Sequence, residues 1–138
     1  MMTDVMTSAE YADAVNGYLE AAGWLVLWDE REDDEANARG CDTDARGGPF
    51  ADEAREHAAD AVAQLVGALG ESYDVREYLE VRGADMIGHD LWLTRNRHGA
   101  GFWDRGLGAL GDRLSDAARL LGEATSYVDA SGTVRIDA

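Results

Sequence analysis

The sequence contains no lysine, so its twelve basic residues are all arginines, and 28 acidic residues outnumber them. The formal net charge of -16 argues against nucleic-acid binding through basic patches, because the phosphates would be repelled. Cysteine is almost absent, since Cys41 can form no internal disulfide and has no Cys-x-x-Cys partner for zinc. No apolar run reaches the roughly 20 residues of a membrane span, and the N-terminus lacks the pattern of a secretory signal. We therefore expect a cytoplasmic protein without a membrane partner.

The acidic residues are concentrated in one region. Half of the net charge lies in residues 28–60, and the segment "DEREDDEANARGCDTDARGG" has no apolar periodicity. Such a segment buries too little apolar surface to offset the entropy lost on ordering. We predict one domain over residues 1–138 with a mobile acidic loop at 29–48.

Three interpretations of this acidity stay open. The first is solvation in a high-salt cytoplasm or the bias of a GC-rich genome, and the second is mimicry of a nucleic-acid duplex. The third, a divalent-metal protein, is the weakest, because the sequence lacks an Asp-x-Asp-x-Asp-Gly loop with a closing Glu. We therefore predict no metal and no cofactor. For a mimic, the predicted partner-binding residues are the acids Asp29, Glu30, Glu32, Asp33, Asp34 and Glu35.

The apolar patterns predict an α+β fold. A capping box at Thr7 and Glu10 begins a first helix, a helix follows Pro49, and "LGALGDRLSDAARLLG" has a helical apolar stripe. Alternation in "HDLWLTR" favours a strand, and "ATSYVDASGTVRID" favours a hairpin turning at residues 129–132. We expect N-terminal helices and a C-terminal β-α-β-β unit, which form a small antiparallel sheet of about three strands with helices on one face. His57 is predicted to be solvated and without a partner.

The segment "GHDLWLTRNRHGAGFWDRGLG" holds the greatest density of functional side chains. Its candidate residues are His89, Asp90, Trp92, Arg95, Asn96, His98, Phe102, Trp103, Asp104 and Arg105. If they converged, His98 would be the candidate general base and Asp104 the group that orients it. No nucleophile elbow, phosphate-binding loop or zinc spacing accompanies them.

A structural role accounts for more of this segment. Its glycines suit a sharp turn, and Trp92, Phe102 and Trp103 are predicted to be buried beneath it. Asp104 is predicted to cap the next helix, and Arg95, Asn96 or Arg105 to bind carbonyls of the loop itself. We therefore favour an ordered turn over a partner-binding loop, and either of these over catalysis.

The same segment resembles a family of small phage and prophage proteins of unassigned function. Their signature is GHDFWLTRNxHGAGFWDRG, and the match runs from Gly88 to Gly106 with Leu91 where the family usually has Phe. The N-terminal "YLEAAGWLVLW" resembles the family's first helix. The resemblance implies a phage context and, for a phage-encoded protein, the host-cell cytoplasm, but it implies no activity.

Context and charge together favour a phage-type acidic accessory protein that inhibits a host defence or nucleic-acid-processing protein, as a DNA mimic. The expected partner is a basic host protein such as a nuclease, with no direct contact to nucleic acid. Two alternatives stay open. One is a small hydrolase-like enzyme centred on His98 and Asp104, and the other is a virion or assembly interaction protein without catalysis. We expect a binding protein rather than an enzyme.

Overall fold

The computed structural model describes residues 6–29, 50–69, 73–97 and 101–137, and the side chains of residues 24–29 and Asp104 lie outside the described part. The helices are α1 (Ser8–Asp29), α2 (Asp52–Leu69), α3 (Asp74–Arg82), α4 (Ala84–Arg95) and α5 (Ala109–Arg119), with a 3-10 turn at Phe102–Asp104 before α5. Strands β1 (Thr125–Val128) and β2 (Val134–Asp137) follow. The predicted α+β class, with helices leading the strands, is confirmed.

Helix α1 begins with the predicted capping box. The Thr7 amide donates to Glu10 Oε1 at 2.9 Å, and the Glu10 amide donates to Thr7 Oγ1 at 3.1 Å. Each side chain thereby satisfies a backbone donor that the first helical turn leaves free. Arg76 of α3 also binds Glu10 Oε1 at 2.6 Å, so the cap joins the two helices.

Helices α1 and α4 cross in close backbone contact at two glycines. A Cβ atom at Gly17 would overlap the carbonyl oxygen of Asp85, and one at Gly88 would overlap that of Ala14. Beside the crossing, the rings of Tyr18 and Trp92 pack edge to face at 5.3 Å. Only glycine permits this approach, so the crossing fixes how α4 lies on α1.

The core lies between α1, α4 and the faces of α2, α3 and α5 that point towards them. On α5 the predicted stripe is confirmed by the buried residues Leu110, Leu114, Ala117 and Ala118. The largest fully buried side chains are those of Tyr18, Tyr78, Phe102, Met6, Leu19, Leu65, Ile87, Leu91, Leu114, Val62, Val75 and Val134. Within the described ranges, no helix is long and apolar enough to cross a membrane.

The predicted C-terminal hairpin is confirmed. Strands β1 and β2 pair antiparallel from Thr125 opposite Asp137 to Val128 opposite Val134. The Asp129 carboxylate accepts hydrogen bonds from the amides of Ser131 and Thr133 and so fixes the turn. The hairpin joins the start of α2 because the Ala51 amide donates to the Val134 carbonyl at 3.0 Å. Helices α1 and α2 both contact the hairpin.

Two details of the predicted C-terminal unit are wrong. "HDLWLTR" is part of helix α4 rather than a strand, and the sheet of the described residues has two strands instead of about three. The segment used to predict a strand started at His89 and left out Ile87 and Gly88, which are buried together with Leu91 and Trp92. Positions 87, 88, 91 and 92 repeat at helical spacing, so the longer window gives the helix.

The predicted acidic loop falls almost wholly outside the described residues. Asp29 is the last residue of α1, so the segment "WLVLW" extends this helix, and residues 30–48 lie outside the described part. Helix α2 begins at Asp52, three positions after Pro49, which is also outside it.

Candidate functional site

The Asp90 carboxylate is fully buried at the centre of a polar cluster. Arg105 Nη2 donates to Oδ1 at 2.7 Å, Tyr78 donates its hydroxyl to Oδ2, and Arg82 Nε lies 3.3 Å from Oδ2. Arg82 Nε also donates to the Tyr78 hydroxyl oxygen at 3.2 Å. His89 Nδ1 lies 3.5 Å from Oδ1, and it has no hydrogen-bond partner among the described residues. The cluster joins α3, α4 and the segment after the 3-10 turn.

The surroundings of Asp90 keep its carboxylate ionised. Burial raises the pKa of Asp90, but the polar groups of His89, Arg105 and Tyr78 lower it by more, so it lies below its ordinary value. Burial and the negative charge of Asp90 together raise the pKa of Tyr78. A carboxylate that is enclosed, ionised and bound by three side chains cannot reach a substrate proton. Asp90 therefore stabilises the fold and is not a candidate general base.

A second buried chain of polar contacts joins α4 to α1 and α2. Arg95 Nη1 donates to the Tyr18 hydroxyl oxygen at 3.1 Å, and this hydroxyl lies 2.6 Å from His57 Nε2. Tyr18 accepts from the guanidinium, so its own proton is directed to His57, which must be neutral at Nε2 to accept it. Burial and then Arg95 lower the pKa of His57, and burial raises the pKa of Tyr18 to about 12. The prediction of a partnerless His57 is wrong.

The end of α4 holds the segment after α5 in place. Arg95 Nε and Nη2 donate to the carbonyls of Gly122 and Leu121 at 2.7 and 2.9 Å. Asn96 Oδ1 accepts from the Ala124 amide at 2.7 Å. The predicted carbonyl contacts of Arg95 thus exist, but they reach the loop after α5 rather than the loop before it.

Thr94 positions the turn before α5. Its Oγ1 accepts the Phe102 amide at 2.9 Å, and a Cβ atom at Gly101 would overlap this oxygen. Phe102 is fully buried and packs edge to face on Tyr78 at 5.4 Å. The Thr94 hydrogen bond and the packing of Phe102 thus hold the 3-10 turn against α4 and α3.

Four expectations about this segment need correction or lie outside the described part. Trp103 is not buried, since half of its side chain is exposed. Asp104 does not cap α5, which begins at Ala109 with Gly108 at the N-cap, and Arg105 binds Asp90 rather than a loop carbonyl. His98 lies outside the described residues, as does the side chain of Asp104, so the proposed catalytic pair stays a prediction.

Three described arginines outside these clusters are neutralised by carboxylates. Arg113 binds both oxygens of Asp74 at 2.8 Å, and Arg135 binds Glu53 and Asp129 at 2.6 Å each. Together with Arg76 and Glu10, these pairs join α1 to α3, α3 to α5 and β2 to α2. Within the described residues, these three arginines therefore link separate parts of the fold.

Many carboxylates, by contrast, stay in solvent. The exposed acids that form no ion pair with any described residue are Asp52, Glu56, Asp60, Glu77, Glu80, Asp85, Asp112, Asp116 and Asp137. Asp52, Glu56 and Asp60 are four positions apart on α2 and form a row with about 6 Å between charges. Like charges at this spacing weaken a helix, so the row is a cost to α2 rather than a source of its stability.

Sequence reasoning missed several partners in both clusters. Tyr18 and His57 come from α1 and α2, far from the motif in sequence, and Tyr78 and Arg82 come from α3, the helix before α4. No local pattern could reveal them, because only packing of the helices brings them to α4. No group of three or more His, Cys, Asp or Glu within the described ranges is arranged to hold a metal ion.

Comparison of the chain with protein-family models, with curated proteins and with solved structures found no match. Its functional interpretation therefore depends on its own residues.

Proposed function

We propose that this protein is a phage-type acidic accessory protein of the host cytoplasm that binds the cationic groove of a basic host protein and inhibits it. The target class is a defence or nucleic-acid-processing protein such as a nuclease. The carboxylates would occupy the positions of nucleic-acid phosphates. The resemblance of Gly88–Gly106 to phage and prophage proteins supports the context.

The main support for the proposal is that most of the described arginines are engaged within the fold, whereas many acids are exposed and form no ion pair with a described residue. Arg82, Arg95 and Arg105 are engaged in the interior, and Arg76, Arg113 and Arg135 are paired with carboxylates. Exposed acids on α2, α3 and α5, by contrast, form no ion pair with any described residue. An acidic surface with few exposed cations attracts a basic partner and favours fast association at low salt.

Charge spacing indicates which acids matter most. The row on α2 has about 6 Å between charges, whereas one strand of DNA has a phosphate about every 3.4 Å along its axis. The row alone has roughly half the charge density of a strand. Six acids within seven positions, Asp29 to Glu35, are denser in sequence, and they stay the predicted contact segment.

The test is an affinity pull-down from bacterial lysate at low and at high salt, followed by competition with duplex DNA. We expect recovery of a nucleic-acid-binding protein that is lost at high salt and displaced by the duplex. Binding of the purified partner is then measured with two variants of equal net charge. The first replaces Asp29, Glu30, Glu32, Asp33, Asp34 and Glu35 by the corresponding amides.

The matched control replaces six exposed acids elsewhere by their amides, namely Glu77, Glu80, Asp85, Asp112, Asp116 and Asp137. We expect the first variant to weaken binding by about 100-fold or more and the control by less than about tenfold, because contact pairs contribute more than distant charges. If the two variants lost the same amount of binding affinity, the effect would come from net charge and not from the predicted contact segment. A partner that duplex DNA does not displace would contradict mimicry.

A further inference from the structure

Next to the end of α4 lies an open cleft of about 370 Å3, which the proposed function does not use. Its described lining residues are Thr94, Arg97, Trp103 and Arg119. This volume is within the range of about 300–1,000 Å3 that is typical of small-molecule sites. Two of the four side chains are guanidinium groups and none is acidic, although the chain carries a net charge of -16.

The two arginines differ from the other described arginines in how little they are engaged. Arg97 meets Glu123 at 3.8 Å, with 81% of the arginine side chain and 68% of the glutamate side chain exposed, so water screens this contact. Arg119 is exposed in the last turn of α5, and its side chain forms no ion pair or hydrogen bond with a described residue. Both guanidinium groups are therefore available to an external anion.

Trp103 is the aromatic element of the cleft. Its neighbours in the motif each have a ring partner, since Trp92 packs on Tyr18 and Phe102 packs on Tyr78. Trp103 has half of its side chain exposed and makes no ring contact with a described residue. An exposed indole beside guanidinium groups can stack on a planar ring.

The backbone at Arg97 gives an independent reason to expect a role for this side chain. Arg97 is the one non-glycine residue with a positive φ among the described residues, with φ at 58°. Glycine is the usual residue in this conformation after a helix. A large cationic side chain at this position is unfavourable for folding, which is typical of residues kept for binding.

We propose that this cleft binds a nucleoside monophosphate, with its base stacked on Trp103 and its phosphate bound by Arg97 and Arg119. Guanidinium groups bind phosphate oxygens in pairs, and indole rings stack on any base. A free phosphate would leave the indole unused, and a neutral aromatic compound would leave both arginines unused. At 0.15 M salt the screening length is about 8 Å, so the distant carboxylates of the surface repel the ligand only weakly.

Isothermal titration calorimetry of the full chain at 0.15 M salt tests this site with adenosine 5′-monophosphate, adenosine and inorganic phosphate. We expect a Kd below roughly 1 mM for the nucleotide and binding at least about tenfold weaker for each of its two parts. Arg97→Gln, Arg119→Gln and Trp103→Ala should each weaken nucleotide binding by about tenfold. Arg55→Gln removes one positive charge from α2 and no lining residue, so it should change the Kd by less than about twofold.

Thermal unfolding of each variant confirms that the fold is retained. No measurable nucleotide binding at 10 mM ligand, roughly ten times the expected Kd, would overturn the proposal. So would phosphate that binds as tightly as the nucleotide, or a Kd that the three lining substitutions leave unchanged. An acidic hexapeptide that binds more tightly than the nucleotide would assign the cleft to a protein partner instead. These outcomes are independent of the pull-down, which measures the acidic surface.

Discussion

Asp90 is the residue on which the polar interior of the C-terminal half depends. Its carboxylate binds Arg105 and Tyr78 and lies beside Arg82, and it is closed off from water. Burying a charge is unfavourable unless all of its partners are present, so the cluster depends on every member.

Replacing this carboxylate should therefore be strongly destabilising. We expect Asp90→Asn to lower the free energy of unfolding by about 3–5 kcal/mol, because two guanidinium groups lose their buried counter-ion. Chemical denaturation at pH 7 measures the change. Asp116→Asn on the exposed face of α5 is the control and should change stability by less than about 0.5 kcal/mol. A loss below about 1 kcal/mol for Asp90→Asn would contradict the central role of Asp90.

His57 predicts how stability depends on pH. Its ordinary pKa of 6.5 applies to the unfolded chain, and burial and Arg95 lower the pKa in the folded protein. The unfolded chain then binds the proton more readily, so the free energy of unfolding falls as the pH drops through about 6.5. His57→Gln keeps an acceptor for Tyr18 without titrating. It should make stability less dependent on pH between 7.5 and 5.5 in denaturation experiments, and an unchanged dependence would show that His57 stays protonatable in the fold.

Residue roles were the least accessible to sequence reasoning. Asp90, Trp92 and Arg95 stand out in the motif, but their partners Tyr78 and Tyr18 lie on other helices. His57 and Tyr18 are 39 positions apart, and the sequence near either residue does not indicate the contact. Trp103 follows a buried Phe102, yet one step along a 3-10 turn is enough to point its ring outwards.

At the scale of elements, local signals predicted well wherever one short segment determines its own structure. The capping box of α1, the stripe of α5 and the Asp129 turn were all readable, because each depends on residues a few positions apart. Helix α4 was not, because seven alternating residues fit a strand as well as a helix. With Ile87 and Gly88 included, the buried positions recur at helical spacing, and Gly88 is where α4 crosses α1.

The crossing of α1 and α4 at Gly17 and Gly88 gives a prediction whose control is a third helical glycine of the same chain. Gly17→Ala and Gly88→Ala should each lower the free energy of unfolding by about 3 kcal/mol or more, because the new methyl group forces the helices apart. Gly67→Ala in α2 meets no atom within 4 Å and should instead stabilise by up to about 1 kcal/mol. Thermal and chemical denaturation compare the three. Equal effects of the three substitutions would mean that helix propensity, rather than the crossing, sets the result.

At the scale of the whole molecule, composition predicted the acidic character, and the apolar patterns predicted the class of fold. Which charges are buried or paired, and which stay in solvent, required the structure. The sequence cannot tell which arginines are internal. Arg82 and Arg105 lie close to Asp90, whereas Arg119 stays in solvent, and only the packing of α3, α4 and α5 separates these cases.

Mutual repulsion of the exposed acids should make stability depend on salt. Raising potassium chloride from 0.05 to 1 M shortens the screening length to about 3 Å, and we expect the Tm to rise by roughly 5 °C. The six-amide control variant of α3, α4, α5 and β2 should respond less, because fewer charges repel one another. If this variant gained as much as the unmodified chain, the salt effect would come from general exclusion of salt rather than from screening.

The close crossing of α1 and α4 also sets an order of events during synthesis. Gly17 and Gly88 are about seventy positions apart in the chain, and a ribosome that adds about 5–20 residues per second needs roughly 4–14 s to travel between them. Throughout that interval α1 has no α4 on which to close. Its apolar residues, Tyr18 and Leu19 among them, stay accessible to chaperones and proteases until α4 emerges. The long-range contact that stabilises the native state thus leaves α1 of the nascent chain exposed to proteases for several seconds.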